Sequence, residues 1–217
     1  MIGITGATGR LGSTLMRLLP DAVPIGRSIP RETFSIVIHC AVSEIPHGLD
    51  GFNLALRCYC NTYRPKLINV GSCWQLLAGE TYDLEYSKAK RKQSNLFPEA
   101  TEVIPYWVFG RGKGFVWDLV QALRGFGVLH SAGAAHRDFV SVDDVARDII
   151  NAFDLPAGMF GSYTDRTTRP FQLAEDFGLS VEVKEPFPST VLEYPIPNIG
   201  SDYRDVREWV SEKIEEF

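Results

Sequence analysis

Short apolar runs alternate with helical stretches along the first two thirds of the chain. Met1 to Thr5, Ala22 to Ile25, Ser35 to Cys40, Lys66 to Val70, Thr101 to Val108 and Gly127 to His130 read as strands. Between them, about Leu11 to Leu19, Gly51 to about Asn61, Leu84 to Leu96 and Val116 to Arg124 read as helices, and another follows Val142 to Phe153. The strand runs are continuously apolar rather than alternating, which is the pattern of strands covered on both faces. The rhythm predicts an α/β fold with a doubly wound parallel sheet. From Pro156 onward the pattern loosens into short, Pro-rich pieces that end in a charged helix from about Tyr203 to Phe217. Residues 1–155 are therefore expected to form the doubly wound domain, and 156–217 a small C-terminal lobe packed over the carboxyl edge of the sheet.

Composition narrows the classes. With 217 residues, 45% hydrophobic and 23% charged, the chain can bury a core as one unit. No apolar run approaches the roughly 20 residues that span a bilayer, and the start carries no basic stretch before a signal core, so no membrane partner and a cytoplasmic location are expected. A net charge of −5 supplies no basic field for a nucleic-acid backbone. Cys40, Cys58, Cys60 and Cys73 form no CxxC pair and have no histidines at ligand spacing, so free thiols and no metal are expected.

Gly6, Gly9 and Gly12, in Ile4-Thr5-Gly6-Ala7-Thr8-Gly9-Arg10-Leu11-Gly12, fall between the first strand and the first helix. Glycines at this spacing let the turn tighten, the backbone approach a pyrophosphate and the helix pack on the strand, while unpaired N–H groups at the helix start face the phosphates. The segment from Gly6 through Thr8, Gly9, Arg10, Leu11 and Gly12 thus predicts a Rossmann-type dinucleotide site. An acidic residue after the second strand would hold the ribose hydroxyl of NAD. Here Arg27 stands in Ile25-Gly26-Arg27-Ser28, and its planar fork suits a 2′-phosphate. NADP is expected over NAD.

The glycine segment resembles the extended short-chain dehydrogenase/reductases, the family of nucleotide-sugar epimerases, dehydratases and 4-ketoreductases. Three further stretches follow in family order: Ile36-Val37-Ile38-His39-Cys40-Ala41, Tyr86-Ser87-Lys88-Ala89-Lys90, and the segment from Arg137 to Ala146. The resemblance covers roughly residues 1 to 153. It implies that Cys40, Ala41 and Val42 lie beside the cofactor, that Asn53 occupies the family's asparagine position, and that Lys90 binds the nicotinamide ribose. On a helix, Tyr86 and Lys90 lie one turn apart on one face, so the ammonium lowers the phenol's pKa and Tyr86 becomes a proton donor or acceptor. Alignment of the fourth strand's end puts Ser72 beside Tyr86 as the third catalytic group, with Cys73 as the alternative.

The resemblance also implies substrate contacts from Cys73, Trp74 and Arg137, the last toward a phosphate, and a homodimer built on the helix bearing Tyr86. Cys73-Trp74-Gln75 stands where a dehydratase carries Thr-Asp-Glu, which disfavours water elimination. Thirteen residues separate Ser72 from Tyr86, a loop shorter than the family's. Asp143 or Asp144 is expected to cap the following helix, while His130, His136, Tyr106, Trp107 and Phe109 read as structural. The reading is an NADPH-dependent reductase of a keto group on a nucleotide-sugar-like substrate. A nucleotide-sugar epimerase, which uses the same residues, is the alternative; a non-catalytic NAD(P)-binding sensor or scaffold is the alternative from another class.

Overall fold

The order of the strands settles where a ligand can lie. A computed structural model describes residues 1–29, 31–41, 50–76, 85–184, 196–200 and 202–216. The first half contains β1 (Ile2–Thr5), α1 (Arg10–Leu18), β2 (Val23–Ile25), β3 (Ile36–His39), α2 (Asp50–Tyr63), β4 (Lys66–Val70), a 3₁₀ turn (Cys73–Gln75) and α3 (Glu85–Leu96). Then come β5 (Thr101–Pro105), β6 (Trp107–Phe109), α4 (Phe115–Leu123), β7 (Ser131–Gly133), β8 (Arg137–Ser141) and α5 (Val142–Asn151). The chain ends with β9 (Gly158–Ser162), β10 (Thr167–Thr168), α6 (Pro170–Asp176), β11 (Glu182–Lys184) and α7 (Val206–Glu215).

The main sheet has the order β2-β1-β3-β4-β5-β9, and every pair is parallel. Its inner strands β1, β3, β4 and β5 are buried on both faces, as the apolar runs require. The chain leaves β1 for β2 on one side and returns to β3 on the other, so the order reverses between β1 and β3. A crevice opens at the carboxyl ends there, the place where doubly wound sheets bind ligands. Only one strand lies outside β1, and β2 is therefore an edge. Pro24 sits in it, exposed, which an edge strand tolerates because no ladder bond is lost.

Three sequence expectations change. The run from Thr101 to Val108 is not one strand: the Tyr106 N–H turns to the Ser162 carbonyl, β5 stays in the main sheet and β6 pairs with β8. Gly127 to His130 is not a strand either; the extended segment starts at Ser131 and pairs with β11, after a turn with Gly125 at φ +76°. Nor does the main sheet end at residue 155, because β9 completes it. The smaller layer is interleaved with the sheet: β6, β8 and β10 form its three strands, and Phe109, Leu119, Phe139, Leu173 and Trp209 meet in its core.

Two buried carboxylates on α5 hold this layer in place. Ser141 caps α5 and exchanges bonds with Asp144, whose Oδ2 also accepts from the Arg204 N–H at 3.1 Å; the cap is thus Ser141 rather than the expected Asp143 or Asp144. Asp143 points outward to Arg17. Asp148, its carboxyl raised above the usual range by burial, accepts from Ser162 at 2.5 Å and Tyr203 at 2.9 Å. Asp148→Ala strands both hydroxyls, so urea unfolding is expected to show a loss of about 1–3 kcal/mol. An unchanged midpoint would place the lobe's attachment elsewhere.

Candidate active site

α1 begins with nothing of its own to satisfy its N–H groups. Its cap residue is Gly9, which offers no side-chain bond, and its first turn carries no acid. An anion at this end therefore meets open donors and the positive end of the helix dipole. The loop is as tight as such an approach needs. Gly6 has φ +66°, and a Cβ on Gly12 would lie 2.1 Å from the Gly6 carbonyl oxygen. Thr8 and Gly9 are exposed, whereas Leu11 packs on the core. Arg10 does not face the loop: its guanidinium donates to the carbonyls of Lys113 at 2.9 Å and Val108 at 3.1 Å, tying α1 to the segment after β6. Arg27 stands exposed just past β2.

A row of polar residues crosses the buried sheet behind this loop. Thr5 pairs in register with His39, His39 with Asn69, and Asn69 with Glu102. Thr5, His39, Asn69 and Glu102 are all buried. The Ala41 N–H donates to Thr5 Oγ1 at 3.2 Å, Thr5 lies 2.7 Å from His39 Nδ1, and His39 Nε2 lies 3.1 Å from Asn53 Oδ1. The Nε2–H tautomer satisfies each group in this chain. Burial, with Lys90 nearby, lowers the His39 pKa to about 3, so the ring is neutral. Ala41 is thereby held at the glycine loop, while Cys40 is a buried thiol raised to about 12 by desolvation. Val42 lies outside the described residues.

At the end of β4, Ser72 caps the 3₁₀ turn. Its Oγ accepts from Trp74 N–H at 3.4 Å, and its own N–H donates to Gln75 Oε1 at 3.1 Å, a reciprocal capping box. α3 packs against this turn, bringing Tyr86, half-buried, and Lys90, buried, to the same end of the sheet. The Lys90 ammonium donates to the Val70 carbonyl at 2.5 Å and to Gln93 Oε1 at 3.4 Å. Burial lowers its pKa to about 8. Cys73 is buried and its thiol raised to about 12, and Ser72 beside it is buried as well. Trp74 meets Trp107 at 5.3 Å between ring centroids, and the Arg137 guanidinium lies 4.2 Å over Trp107. Trp74, Trp107 and Arg137 thus stack in a row beside the turn that Ser72 caps.

This backbone has counterparts among solved structures. WbmG from Bordetella bronchiseptica, solved with NAD and UDP, matches at TM-score 0.72 with 15% identity over 99% of this chain and 92% of that one. UDP-N-acetylglucosamine 4-epimerase from Bacillus cereus matches at 0.72 with 18% identity over 100% and 96%, respectively. A dTDP-4-dehydrorhamnose reductase from Clostridium acetobutylicum matches at 0.66 with 18% identity over 99% and 98%. The chain shares the doubly wound, Rossmann-type fold of these structures. No protein-family model matches its sequence, and no curated protein matches it. At these identities the likeness lies in the path of the backbone.

Sequence reasoning missed the polar row and the members around it, Gln75 and Gln93. Each of Thr5, His39, Asn69 and Glu102 sits inside an apolar run. In a strand buried on both faces such a residue must find an internal partner, and that was the available signal. The Ser72-x-x-Gln75 spacing of a capping box was another. The structure also holds a cavity of about 770 Å³ at the opposite edge, between Arg57, Arg64, Lys66 and Glu99. The carboxyl ends of α2 and α3 face it, so its basic side chains offset helix dipoles. Among the described residues no His, Cys, Asp and Glu group could hold a metal, and no helix is long and apolar enough to cross a membrane.

His39 makes the fold sensitive to acid. Its folded pKa, about 3, lies below the unfolded value near 6.5, so the unfolded chain takes up the proton first. Stability is fully present above pH 6.5 and falls by up to about 1.4 kcal/mol per pH unit down to the folded pKa. Urea unfolding between pH 7 and pH 4 is expected to show this slope, and His39→Gln to flatten it. Parallel slopes in the two proteins would remove His39 from the account.

Proposed function

We propose that this chain is an NADPH-dependent reductase of a keto group on a nucleotide-sugar-like substrate. The observation that carries the reading is the convergence at one sheet end of Ser72, the Tyr86-bearing helix and the Lys90 ammonium, beside an open helix start and a glycine loop with no room for a Cβ at residue 12. The names of the neighbours, an epimerase acting on a UDP sugar and a dTDP sugar reductase, support the substrate class.

The loop fits a dinucleotide. Gly6 through Gly12 would hold the pyrophosphate with backbone N–H groups, Arg27 a 2′-phosphate, and Ala41 would border the nicotinamide side. Bound there, NADPH would supply a hydride from nicotinamide C4 to the substrate's carbonyl carbon. Ser72 donates a hydrogen bond to the substrate's carbonyl oxygen, and Tyr86 gives that oxygen a proton, so a carbonyl becomes an alcohol. Lys90, cationic at neutral pH, favours the phenolate left behind. Two of its three N–H groups are used among the described residues, which leaves one for a ribose hydroxyl. Arg137 would meet a substrate phosphate, with Trp74 and Trp107 as the apolar wall beside it. An epimerase is the second reading, favoured by the Bacillus cereus neighbour. Stoichiometric consumption of NADPH identifies the reductase, and turnover without net consumption the epimerase.

Tyr86→Phe is expected to lower kcat about a hundredfold or more while dinucleotide affinity is retained. Undiminished turnover would refute Tyr86 as the proton donor. Titration calorimetry is expected to show NADP binding roughly tenfold to a hundredfold tighter than NAD, with Arg27→Ala erasing the difference. Tighter binding of NAD by the unaltered protein would overturn the Arg27 assignment.

A further inference from the structure

Glu102 lies in the middle of the sheet, 4% exposed, on a strand that carries none of the groups assigned above. A carboxylate so placed must be satisfied by donors, and the donors it has chosen lead in two directions. Its Oε1 accepts from Gln75 Nε2 at 3.1 Å and from Asn69 Nδ2 at 2.9 Å, and its Oε2 accepts from Ser94 Oγ at 2.6 Å. Through Gln75 the first arm reaches the Ser72 N–H. The second runs from Asn69 Oδ1 to Gln93 Nε2 at 2.9 Å, and Gln93 Oε1 faces the Lys90 ammonium. Space for this hub is reserved at residue 71, where a Cβ would come within 2.8 Å of Gln75 Oε1 and 3.1 Å of Glu102 Oε1.

We propose that Glu102 is a positioning residue of the hydride-transfer site, one buried anion that fixes Ser72 and Lys90 relative to each other through Gln75 on one side and Asn69 and Gln93 on the other. The assignment rests on the reductase reading for its purpose but not for its geometry. A residue needed only to fill the sheet at this position would be apolar, as Ile104 is two residues further along the same strand; a buried carboxyl group there is costly unless it has a use.

The charge acts on Lys90. Burial draws that ammonium's pKa down, and Cys40 and Glu102 oppose the fall. The Cys40 thiol is itself raised to about 12 by burial, which leaves Glu102 as the acidic group that supports the ammonium. The other groups facing Lys90 do not replace it. Among the described residues, His39 on β3 is neutral, Tyr86 lies one turn back on the same helix, α2 contributes Asn53 and, farther out, an Asp50 paired with Lys92, and β4 offers the Val70 carbonyl and the uncharged Asn69. Without Glu102, Lys90 would lose its proton at a lower pH.

The test uses the unliganded protein and needs no substrate, so its outcome is separate from that of the reductase reading. Protein labelled with ¹³C at lysine Cε, with the Lys90 signal assigned by Lys90→Met, is titrated by NMR, and exchange of the Ser72 amide is followed by mass spectrometry. Glu102→Gln keeps an oxygen for Asn69 and Gln75 but removes the charge. It is expected to move the Lys90 titration down by about one pH unit with Ser72 exchange unchanged. Glu102→Ala removes both arms and is expected to speed Ser72 exchange about tenfold as well. A Lys90 titration unmoved by Glu102→Gln overturns the proposal. Ser72 exchange unmoved in a folded Glu102→Ala protein overturns its positional half. Should Glu102→Ala fail to fold, the Glu102→Gln titration still decides.

Discussion

A sheet covered on both faces offers no water to a polar side chain, yet this one carries Thr5, His39, Asn69 and Glu102 in register across four adjacent strands. Every donor and acceptor in the row has to be met from within, and the partners come from the helices above: Asn53 on α2, Gln93 and Ser94 on α3. The row therefore fixes where α2 and α3 sit on the sheet more tightly than apolar packing alone could, because a hydrogen bond specifies direction as well as distance. It also lies one step behind the carboxyl ends of the strands. Past it lie the glycine loop, Ala41 and Ser72, the last buried at the start of the 3₁₀ turn that it caps.

Around this frame the smaller layer closes the other side. β6 and β8 place Trp107 and Arg137 beside Trp74, and the carboxylates of Asp144 and Asp148 bind the chain's last third to α5. Arg10 joins the two layers from the first turn of α1, where its guanidinium reaches carbonyls on either side of the β6 to α4 connection. A side chain inside the glycine segment thus holds the β6 to α4 connection. The start of α1 in that same segment carries no side-chain cap.

Much of this was legible in the sequence where local chemistry dictates local structure. The Gly6, Gly9, Gly12 spacing, the helix bearing Tyr86 and Lys90 and the apolar strands all follow from periodicity and from steric need near the chain. The rest depended on register. An isolated histidine in Ile36-Val37-Ile38-His39 or a glutamate in Thr101-Glu102-Val103 carries no sign of its partner, which comes from a strand or helix distant in sequence. The split after Pro105 was hidden for the same reason. Whether an apolar run stays in one sheet is decided by what the next strand, here β9, needs from Tyr106. Arg10 was misplaced because a cation beside phosphate-binding glycines suggests a phosphate, whereas the carbonyls of Val108 and Lys113 lie closer.

The central claim is that the carboxyl end of this sheet, between β1 and β3, holds a dinucleotide with its reactive end between Ser72 and Tyr86. The most direct test is a crystal structure grown with NADP. The account predicts the pyrophosphate within hydrogen-bond reach of the first N–H groups of α1, the 2′-phosphate at Arg27 and the nicotinamide facing Ser72 and Tyr86. NADP bound instead in the cavity near Arg57 and Lys66 at the opposite edge would contradict it, as would a nicotinamide turned away from Ser72 and Tyr86.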